Sequence, residues 1–450
     1  MFLQRSNLPE GAGLRTGQQP IELASAQPQP RRRMVIVVRA DPVICGHSVE
    51  ARNLAEVALT RGFDDVRIVT WPIDRLQETG LPLKPLASVL PYSVGITIER
   101  PEPVGDYKVP DGRYLAGITG RLIELFTDGV PTVALSLYLS PHTRAVVDAR
   151  RLAEATGLPV NVTTIAEAVG SDVTNIVRSA VARGEYGAAV DVLVSYLAND
   201  HCVAVSEYTR ELIIDSATEL DHRLGTRFAE QLAARVAVSY PAIDSRPYLV
   251  QDQDELTRTL DARGLARDGY LLFLSRLGLA KGVDDLITGY ARSRACEQLP
   301  LVIAGEGPDK DYFKQCAADS GVADKIIFFD DVSDAEKPYL MTGCAAFILP
   351  SKPRPEFVET FGIALVEKML AGGGRVITTT TGGIGEAVGD TAMVVPVDDP
   401  DAISARINEA VLDSTPAERR VWEERARGYA LQFDRAEVFD RLIGRLQVAA

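Results

Sequence analysis

Two glutamates flank a glycine in the C-terminal half of the chain, within the stretch that runs from Glu359 to Glu367. Glu359 lies just before a predicted helix that begins near Gly362, and Glu367 lies inside that helix. Carboxylates accept hydrogen bonds from neutral hydroxyl groups, and the first turn of a helix has backbone N–H groups without intrahelical partners. This combination predicts a site for a ligand that is rich in hydroxyl groups.

Two cations, Arg276 and Lys281, follow the predicted strand Tyr270–Leu274 and lie five residues apart. In parallel α/β sheets, ligands bind at the carboxyl ends of the strands. The pair is therefore expected at the ligand-facing edge, where two positive charges suit a diphosphate group.

Two glycine turns follow other predicted strands of the same half. Gly305-Glu306-Gly307-Pro308 ends the strand that starts at Leu301, and Gly382-Gly383 follows the strand Arg375–Thr379, with Glu386 three residues later. A single turn of this kind usually only forms a bend. The order and spacing of all these motifs together carry the functional argument.

The elements that must position these residues alternate as strand and helix along the whole chain, in two successive series. This alternation predicts the α/β class, with two doubly wound Rossmann-like domains that face a central cleft. The predicted division is 1–33, a disordered leader; 34–250, an N-terminal acceptor-side domain; 251–430, a C-terminal donor domain; and 431–450, a helix that packs back toward the N-terminal domain. The junction between the two domains is expected in the polar stretch Gln251–Arg267.

Composition excludes several classes of protein. The 450 residues carry a net charge of −14, which disfavours general binding of nucleic acid or of an anionic membrane. No uncharged apolar run reaches the length of a membrane-spanning helix. The five cysteines and four histidines show no zinc-ligand spacing, so no metal site is predicted and reduced thiols in a cytoplasmic protein are expected.

In their order, the motifs resemble those of the retaining GT-B glycosyltransferases of family 4, also known as glycosyl transferases group 1. The family's motifs are a GR-x4-KG turn, a G-x-GP turn, an LPS…E-x-FG-x4-E stretch and a GG…E loop. Their counterparts here are Ser275-Arg276…Lys281-Gly282, Gly305-Glu306-Gly307-Pro308, Leu349-Pro350-Ser351…Glu359-Thr360-Phe361-Gly362…Glu367 and Gly382-Gly383…Glu386. The resemblance covers about residues 235–430 and is weaker before them.

The resemblance implies a role for each matching residue. Arg276 and Lys281 would hold the donor diphosphate, Glu359 would meet the hydroxyls of the donor sugar, and Glu367 would bind the nucleotide ribose. The remaining donor-binding residues that the resemblance implies are Gly46, Gly305, Val332, Ser333, Thr360, Phe361 and Gly362.

The N-terminal half departs from the family pattern. The family usually has a histidine after a strand in the middle of this domain. That strand is predicted here at Pro159–Thr164, and Glu167 is interpreted as standing in the place of the histidine. His142 is a second candidate for contact with the sugar or the acceptor. These departures predict an unusual sugar or acceptor in a specialised pathway, such as natural-product biosynthesis of the lincosamide antibiotic type.

The sequence therefore predicts a retaining glycosyltransferase that uses a GDP-, UDP- or ADP-sugar as co-substrate and a small soluble acceptor. It predicts no cofactor, no metal, no nucleic-acid or membrane partner, and a monomer or homodimer. Two alternatives remain at this point: a nucleotide-sugar-binding regulator without turnover, and a nucleotide-sugar epimerase of the same fold.

Overall fold

The computed structural model describes residues 31–39, 46–78, 91–105, 110–249, 252–355 and 357–448. Their N-terminal part forms a seven-stranded parallel sheet in the order β3-β2-β1-β4-β5-β6-β7. Its strands are β1 Arg33–Val37, β2 Asp65–Val69, β3 Ile96–Glu99, β4 Thr132–Leu137, β5 Val162–Ala168, β6 His201–Ala204 and β7 Val236–Val238.

The C-terminal part forms a second parallel sheet, with six strands in the order β10-β9-β8-β11-β12-β13. Its strands are β8 Leu271–Leu274, β9 Leu301–Ala304, β10 Ile326–Phe329, β11 Ala346–Leu349, β12 Arg375–Thr378 and β13 Met393–Val394. Two doubly wound α/β domains were predicted, and this arrangement confirms them.

Helices cover both faces of each sheet. Those of the N-terminal domain are α1 Gly46–Thr60, α2 Ile73–Gln77, α3 Pro110–Thr127, α4 Arg144–Ala155, α5 Ser179–Arg183, α6 Tyr186–Leu197, α7 Glu207–Leu224 and α8 Phe228–Arg235. Those that follow are α9 Arg246–Leu249, α10 Gln253–Ala262, α11 Val283–Arg292, α12 Lys310–Asp319, α13 Lys337–Gly343, α14 Ile363–Ala371, α15 Ile384–Val388, α16 Pro400–Asn408, α17 Pro416–Ala430 and α18 Arg435–Val448.

The strands at the centre of the N-terminal sheet are buried on both faces because helices cover both. In β1, Met34 and Ile36 pack with α1, whereas Val35 and Val37 pack with α3 and α4. Continuous apolar strands of this kind are typical of parallel sheets. The N-terminal domain thus has a separate core on each face of its sheet.

Several boundaries differ from the prediction. The first strand begins at Arg33, whereas residues 1–30 of the predicted leader lie outside the described residues. The predicted strand near residues 159–164 is found at Val162–Ala168, so Glu167 lies inside a strand. The polar stretch expected to join the domains is helix α10, which is capped by the Asp252 carboxylate.

The chain crosses between the domains twice. The first crossing is 240–244 and the second is 431–435, and Ile243 pairs with both Phe433 and Arg435 through backbone hydrogen bonds of 3.0 and 2.8 Å. After the second crossing, α18 packs on the N-terminal domain, where Phe439 meets Phe63 edge-to-face. Tyr248 belongs to the C-terminal core, so the first crossing precedes the predicted boundary at residue 250.

Each sheet reverses its strand order once. The reversal lies between β1 and β4 in the N-terminal sheet and between β8 and β11 in the C-terminal sheet. We call these two places the N-terminal and C-terminal switch points. A crevice forms outside the carboxyl ends of the strands at such points, and it is where ligands bind in open α/β sheets.

Candidate active site

The turn that carries Arg276 leaves β8 at the C-terminal switch point. Two glycines of the neighbouring turn lie against it: a Cβ atom at Gly305 would lie 2.0 Å from the Ser275 carbonyl oxygen, and one at Gly307 would lie 2.1 Å from that of Leu277. The two turns therefore touch backbone to backbone, and no larger residue fits between them. Gly305, expected to bind the donor, supports the Arg276 turn in this structure.

The Arg276 side chain is exposed and has no hydrogen bond or ion pair with any described residue. Lys281, five residues later, forms an ion pair with Glu359, and its ammonium nitrogen lies 5.0 Å from the centre of the Phe357 ring. The structure thus brings together two predicted site residues, Lys281 and Glu359. It leaves the guanidinium group of Arg276 available to an anion.

The Glu359 loop is held by the double glycine that follows β12. The Gly383 amide donates a 2.9 Å hydrogen bond to the Glu359 carbonyl oxygen, and a Cβ atom at Gly382 would lie 2.0 Å from the same oxygen. On the other side, a Cβ atom at Gly282 would lie 2.1 Å from the Pro350 carbonyl oxygen. The motif glycines therefore fix where the charged side chains sit.

The loop continues into helix α14 through Thr360, Phe361 and Gly362. The Phe361 ring is buried against Tyr240 and Phe433 of the two crossings, with ring centroids 5.5 and 5.0 Å away. Its side chain is therefore used in packing, and any contact of Phe361 with a ligand must come from its backbone. Gly362 caps α14 with a φ of 107°, which favours glycine.

Glu367 and the β10 loop lie at the side of this site. Glu367 is buried in α14 and forms a 2.5 Å ion pair with Lys337 of α13. Ser333 lies in the turn before α13, where its hydroxyl and amide groups donate hydrogen bonds to the Glu336 carboxylate. Val332 is half-buried against the C-terminal core.

Across the cleft, the N-terminal switch point contains Arg39 after β1, Gly46 and His47 at the start of α1, and Tyr138 after β4. The Arg39 guanidinium carbon lies 5.4 Å from the centre of the Tyr138 ring, and the His47 ring lies 5.8 Å from it. A Cβ atom at Gly46 would lie 3.0 Å from Ile363 at the start of α14, so the first turns of these two helices meet across the cleft.

A buried aspartate joins the loops on the N-terminal side. The Asp172 carboxylate accepts hydrogen bonds from the amides of Leu139, after β4, and of Val169 and Gly170, after β5. This arrangement places Gly170 directly against Thr360 of the other domain, since a Cβ atom there would lie 2.0 Å from Thr360 Cγ2. No motif in the sequence predicted this contact between the two domains.

His142 does not have a nitrogen available for a substrate. The Trp71 indole N–H donates to His142 Nε2 at 3.2 Å, and His142 Nδ1 lies 2.8 Å from the Leu137 carbonyl oxygen. Because Trp71 can only donate and a carbonyl can only accept, the imidazole is neutral with its proton on Nδ1. Burial also lowers the pKa of His142 to about 4. The interpretation of His142 as a sugar or acceptor contact is therefore wrong.

Glu167 does not reach the cleft either. Its side chain is fully buried, and the carboxyl group that influences it most is that of Glu50 in α1. Glu50 accepts a 3.1 Å hydrogen bond from the Ala242 amide, which places the pair beneath the first crossing. Burial raises the pKa of Glu167 and raises that of Glu50 to about 8. The interpretation of Glu167 as a sugar contact is corrected: it belongs to a buried carboxyl pair.

Glu386, the last residue of the GG…E motif, links the two domains. Its carboxylate accepts hydrogen bonds from the amides of Glu207 and Tyr208, at 2.7 and 3.0 Å, in the first turn of α7. These amides have no partner within their own helix, and the positive end of the helix dipole favours a carboxylate there. The C-terminal domain therefore supplies a cap to a helix of the N-terminal domain.

Among the described residues, no group of three or more histidine, cysteine, aspartate or glutamate side chains is arranged to hold a metal ion. None of the described helices combines the length and apolar character needed to cross a membrane.

Residues 262–429 match the family described as "Glycosyl transferases group 1". This match covers the C-terminal switch point and every donor motif named above after residue 262. The resemblance recognised from the motifs is confirmed over these residues, which are similar to the group 1 glycosyltransferases.

Two relatives are named for different acceptors. The chain is 28% identical over 205 residues to the GDP-mannose-dependent alpha-(1-6)-phosphatidylinositol monomannoside mannosyltransferase of Mycolicibacterium smegmatis, covering 44% of this chain and 53% of that protein. It is 24% identical over 176 residues to the 2-deoxystreptamine N-acetyl-D-glucosaminyltransferase of Streptomyces fradiae, covering 38% and 40%. The chain thus matches about half the length of such relatives or less.

A solved structure matches over nearly the whole chain. It is Anabaena Alr3699/HepE in complex with UDP and glucose, with a TM-score of 0.65, 17% identity, and coverage of 93% of this chain and all of that one. At this identity the likeness concerns the fold alone. It confirms the predicted GT-B arrangement of the two domains.

Proposed function

We propose that this protein is a retaining glycosyltransferase, which moves a sugar from a GDP-, UDP- or ADP-sugar to a small-molecule acceptor. The observation that carries the proposal is the C-terminal switch point. There, Arg276 pairs with no described residue, and Lys281 of the same turn forms an ion pair with Glu359 of the facing loop, inside the region that matches the group 1 family.

The proposed chemistry follows from the charges. Negative charge builds on the diphosphate as the bond to the sugar breaks, and Arg276 and Lys281 would stabilise it. Lys281 would then turn from Glu359 toward the phosphates, and Glu359 would accept hydrogen bonds from sugar hydroxyls. In retaining transfer without a covalent intermediate, a diphosphate oxygen takes the acceptor proton on the face from which it leaves. The protein positions the two substrates, and no side-chain base is required.

The acceptor is the finer part of the proposal. The names of the two relatives above state acceptors as different as a phosphatidylinositol mannoside and 2-deoxystreptamine. Both matches cover only about half of the relative's length or less. A soluble acceptor in natural-product biosynthesis is proposed because the N-terminal domain departs from the family motifs.

Thermal-shift titration with UDP, GDP and ADP tests the donor half of the proposal. One of the three should stabilise the protein, and Arg276→Ala should weaken that effect. Single-turnover reactions of the matching nucleotide sugar, with and without candidate acceptors, separate the alternatives. A transferase forms glycoside only with acceptor, an epimerase converts the donor alone, and a regulator binds without turnover.

A further inference from the structure

We propose that the N-terminal switch point binds an acidic group of the acceptor, a phosphate or a carboxylate, and that Arg39 is the residue that pairs with it. This inference rests on the proposed function in one respect: it calls the ligand of this half of the cleft the acceptor. It adds that this ligand carries a negative charge, which neither the donor motifs nor the family match indicates.

Arg39 has an unsatisfied guanidinium group. Its Nε is buried and has no hydrogen-bond partner, and the side chain forms no ion pair with any described residue. Its described contact is the face of the Tyr138 ring, at 5.4 Å. A buried donor that lacks an acceptor is costly, and a planar guanidinium matches the two oxygens of a carboxylate or phosphate. The geometry therefore suits an anionic ligand.

Among the described residues, no acidic side chain pairs with this positive charge. His47 and His142 both lie close enough for the Arg39 charge, after burial, to lower their pKa values, and His142 is held neutral by Trp71 and Leu137. The nearby Asp172 carboxylate is engaged with the amides of two loops. The first turn of α1 contains no acidic residue, and its N-terminus adds partial positive charge.

Hydrogen bonds hold the loop after β4, which carries Tyr138, from two sides. Asp172 fixes the loop after β4 through Leu139, and the Trp71–His142 hydrogen bond fixes the same loop from the other side. Arg39 lies after β1 and Tyr138 after β4, on the two strands that flank the reversal of the sheet. Crevices at such reversals bind ligands in open α/β sheets.

The protein offers a local reporter for the test. It has two tryptophans, Trp71 beside His142 and Trp422 in α17, which packs on Arg375. In the Trp422→Phe protein, the remaining emission comes from Trp71, which is hydrogen-bonded to His142 in the loop after β4, the loop that begins with Tyr138. We would titrate this protein with inorganic phosphate and with malonate at constant ionic strength, and repeat both titrations after Arg39→Gln, Arg39→Lys, Arg276→Ala and, as a remote control, Arg223→Gln.

The expected result is a saturable change with at least one anion, weakened about tenfold or more by Arg39→Gln and partly restored by Arg39→Lys. Arg276→Ala and Arg223→Gln should leave it unchanged. A response to phosphate alone identifies a phosphorylated acceptor, and a response to malonate alone identifies a carboxylic acid. Circular dichroism of each variant establishes that it is folded.

Three results would overturn the inference: no saturable response to either anion, equal affinity in the folded Arg39→Gln protein, or loss of the response in Arg276→Ala, which would place the anion in the donor half. The proposed function fails separately. If nucleotides do not bind but anion binding depends on Arg39, the anion site stands and glycosyl transfer does not. If sugar transfer occurs but anion binding does not depend on Arg39, the proposed function stands and the anion site does not.

Discussion

The two switch points of this molecule occupy equivalent positions in two similar sheets, yet their charges are arranged differently. At the C-terminal switch point, Lys281 is paired with Glu359 and Arg276 extends into solvent. At the N-terminal one, Arg39 lies over an aromatic ring beside neutral histidines. The C-terminal arrangement lies inside the region that matches the family, whereas the N-terminal one lies outside it. The same position in two similar sheets can therefore carry charges in quite different arrangements.

The largest effect is expected from Arg276. A guanidinium that stabilises the leaving diphosphate contributes about 3 kcal/mol in the transition state, or roughly a hundredfold in rate. Arg276→Ala should lower kcat by about a hundredfold, and Arg276→Lys should recover part of it because an ammonium cannot bind two oxygens in parallel.

The matched control is Arg223→Ala on the surface of α7, which should leave kcat unchanged. Combining Arg276→Ala with Lys281→Ala should cost less than the sum of the single effects, since both cations act on one group. Rates within about threefold of wild type for both single variants would remove this turn from the active site.

The next effect tests whether the two switch points must meet. A methyl group at Gly170 would collide with Thr360 Cγ2, so Gly170→Ala should hold the domains apart. We expect kcat to fall about tenfold while nucleotide affinity, measured by thermal shift, stays close to wild type.

Gly184→Ala separates this collision from backbone strain, because Gly184 also has a positive φ but open space around its Cβ position. Adding Thr360→Ser to Gly170→Ala removes the colliding methyl group and should restore part of the rate. If the Gly184 and Gly170 variants are equally impaired, contact between the domains is not the cause.

A smaller effect is expected from Glu386, which caps α7 across the domain boundary. Glu386→Gln removes the charge that the two backbone amides bind and should lower the free energy of unfolding by about 1–2 kcal/mol. Small-angle scattering should also show a larger radius of gyration. Glu418→Gln alters a carboxylate that caps α17 within one domain, so it should leave the radius unchanged.

The buried carboxyl pair predicts a pH dependence of stability. Since burial raises the pKa of Glu50 to about 8 and also raises that of Glu167, the folded protein holds more protons than the unfolded chain between about pH 4.5 and 8. Stability should therefore fall as the pH rises through this window.

Glu167→Gln supplies an amide donor in place of a shared proton. It should reduce the change in the free energy of unfolding between pH 6 and 9 by about 1 kcal/mol. Urea unfolding at several pH values measures it. The exposed Glu219→Gln on α7 is the control and should follow wild type. A Glu167→Gln protein as pH-sensitive as wild type would show that the pair is not protonated.

The smallest effect is expected from metal removal. The proposed chemistry relies on two cationic side chains, so transfer should change less than twofold after treatment with EDTA. A loss of about tenfold that magnesium or manganese restores would show that a metal ion shares the work of Arg276 and Lys281.

Sequence reasoning worked best where glycines report on backbone contacts. Gly282, Gly305 and Gly382 recur at fixed spacings because each touches the carbonyl oxygen of another turn, and this leaves a pattern in the chain that can be recognised. The strand–helix alternation likewise predicted two doubly wound domains. Both signals are local in sequence, although the contacts they produce are distant.

The errors concern side chains whose environment depends on distant residues. Nothing near His142 shows that Trp71 and Leu137 occupy both of its nitrogens. The sequence prediction placed the strand that contains Glu167 about three residues too early. Glu167 was therefore expected in a loop, whereas it lies inside the strand and is buried. Arg39 was within reach of prediction, because it is the first charged residue after the apolar run Met34–Val38 and so lies at the carboxyl end of a central strand.

The double crossing has a consequence for engineering new specificities. Since α18 returns to cover Phe63 and its neighbours, the N-terminal half is assembled from both ends of the chain. A chimera with one junction near residue 243 would pair the core of one parent with the closing helix of the other. Exchanging the N-terminal half between relatives therefore needs two junctions, at 240–244 and 431–435, so that α18 is inherited together with the surface on which it packs.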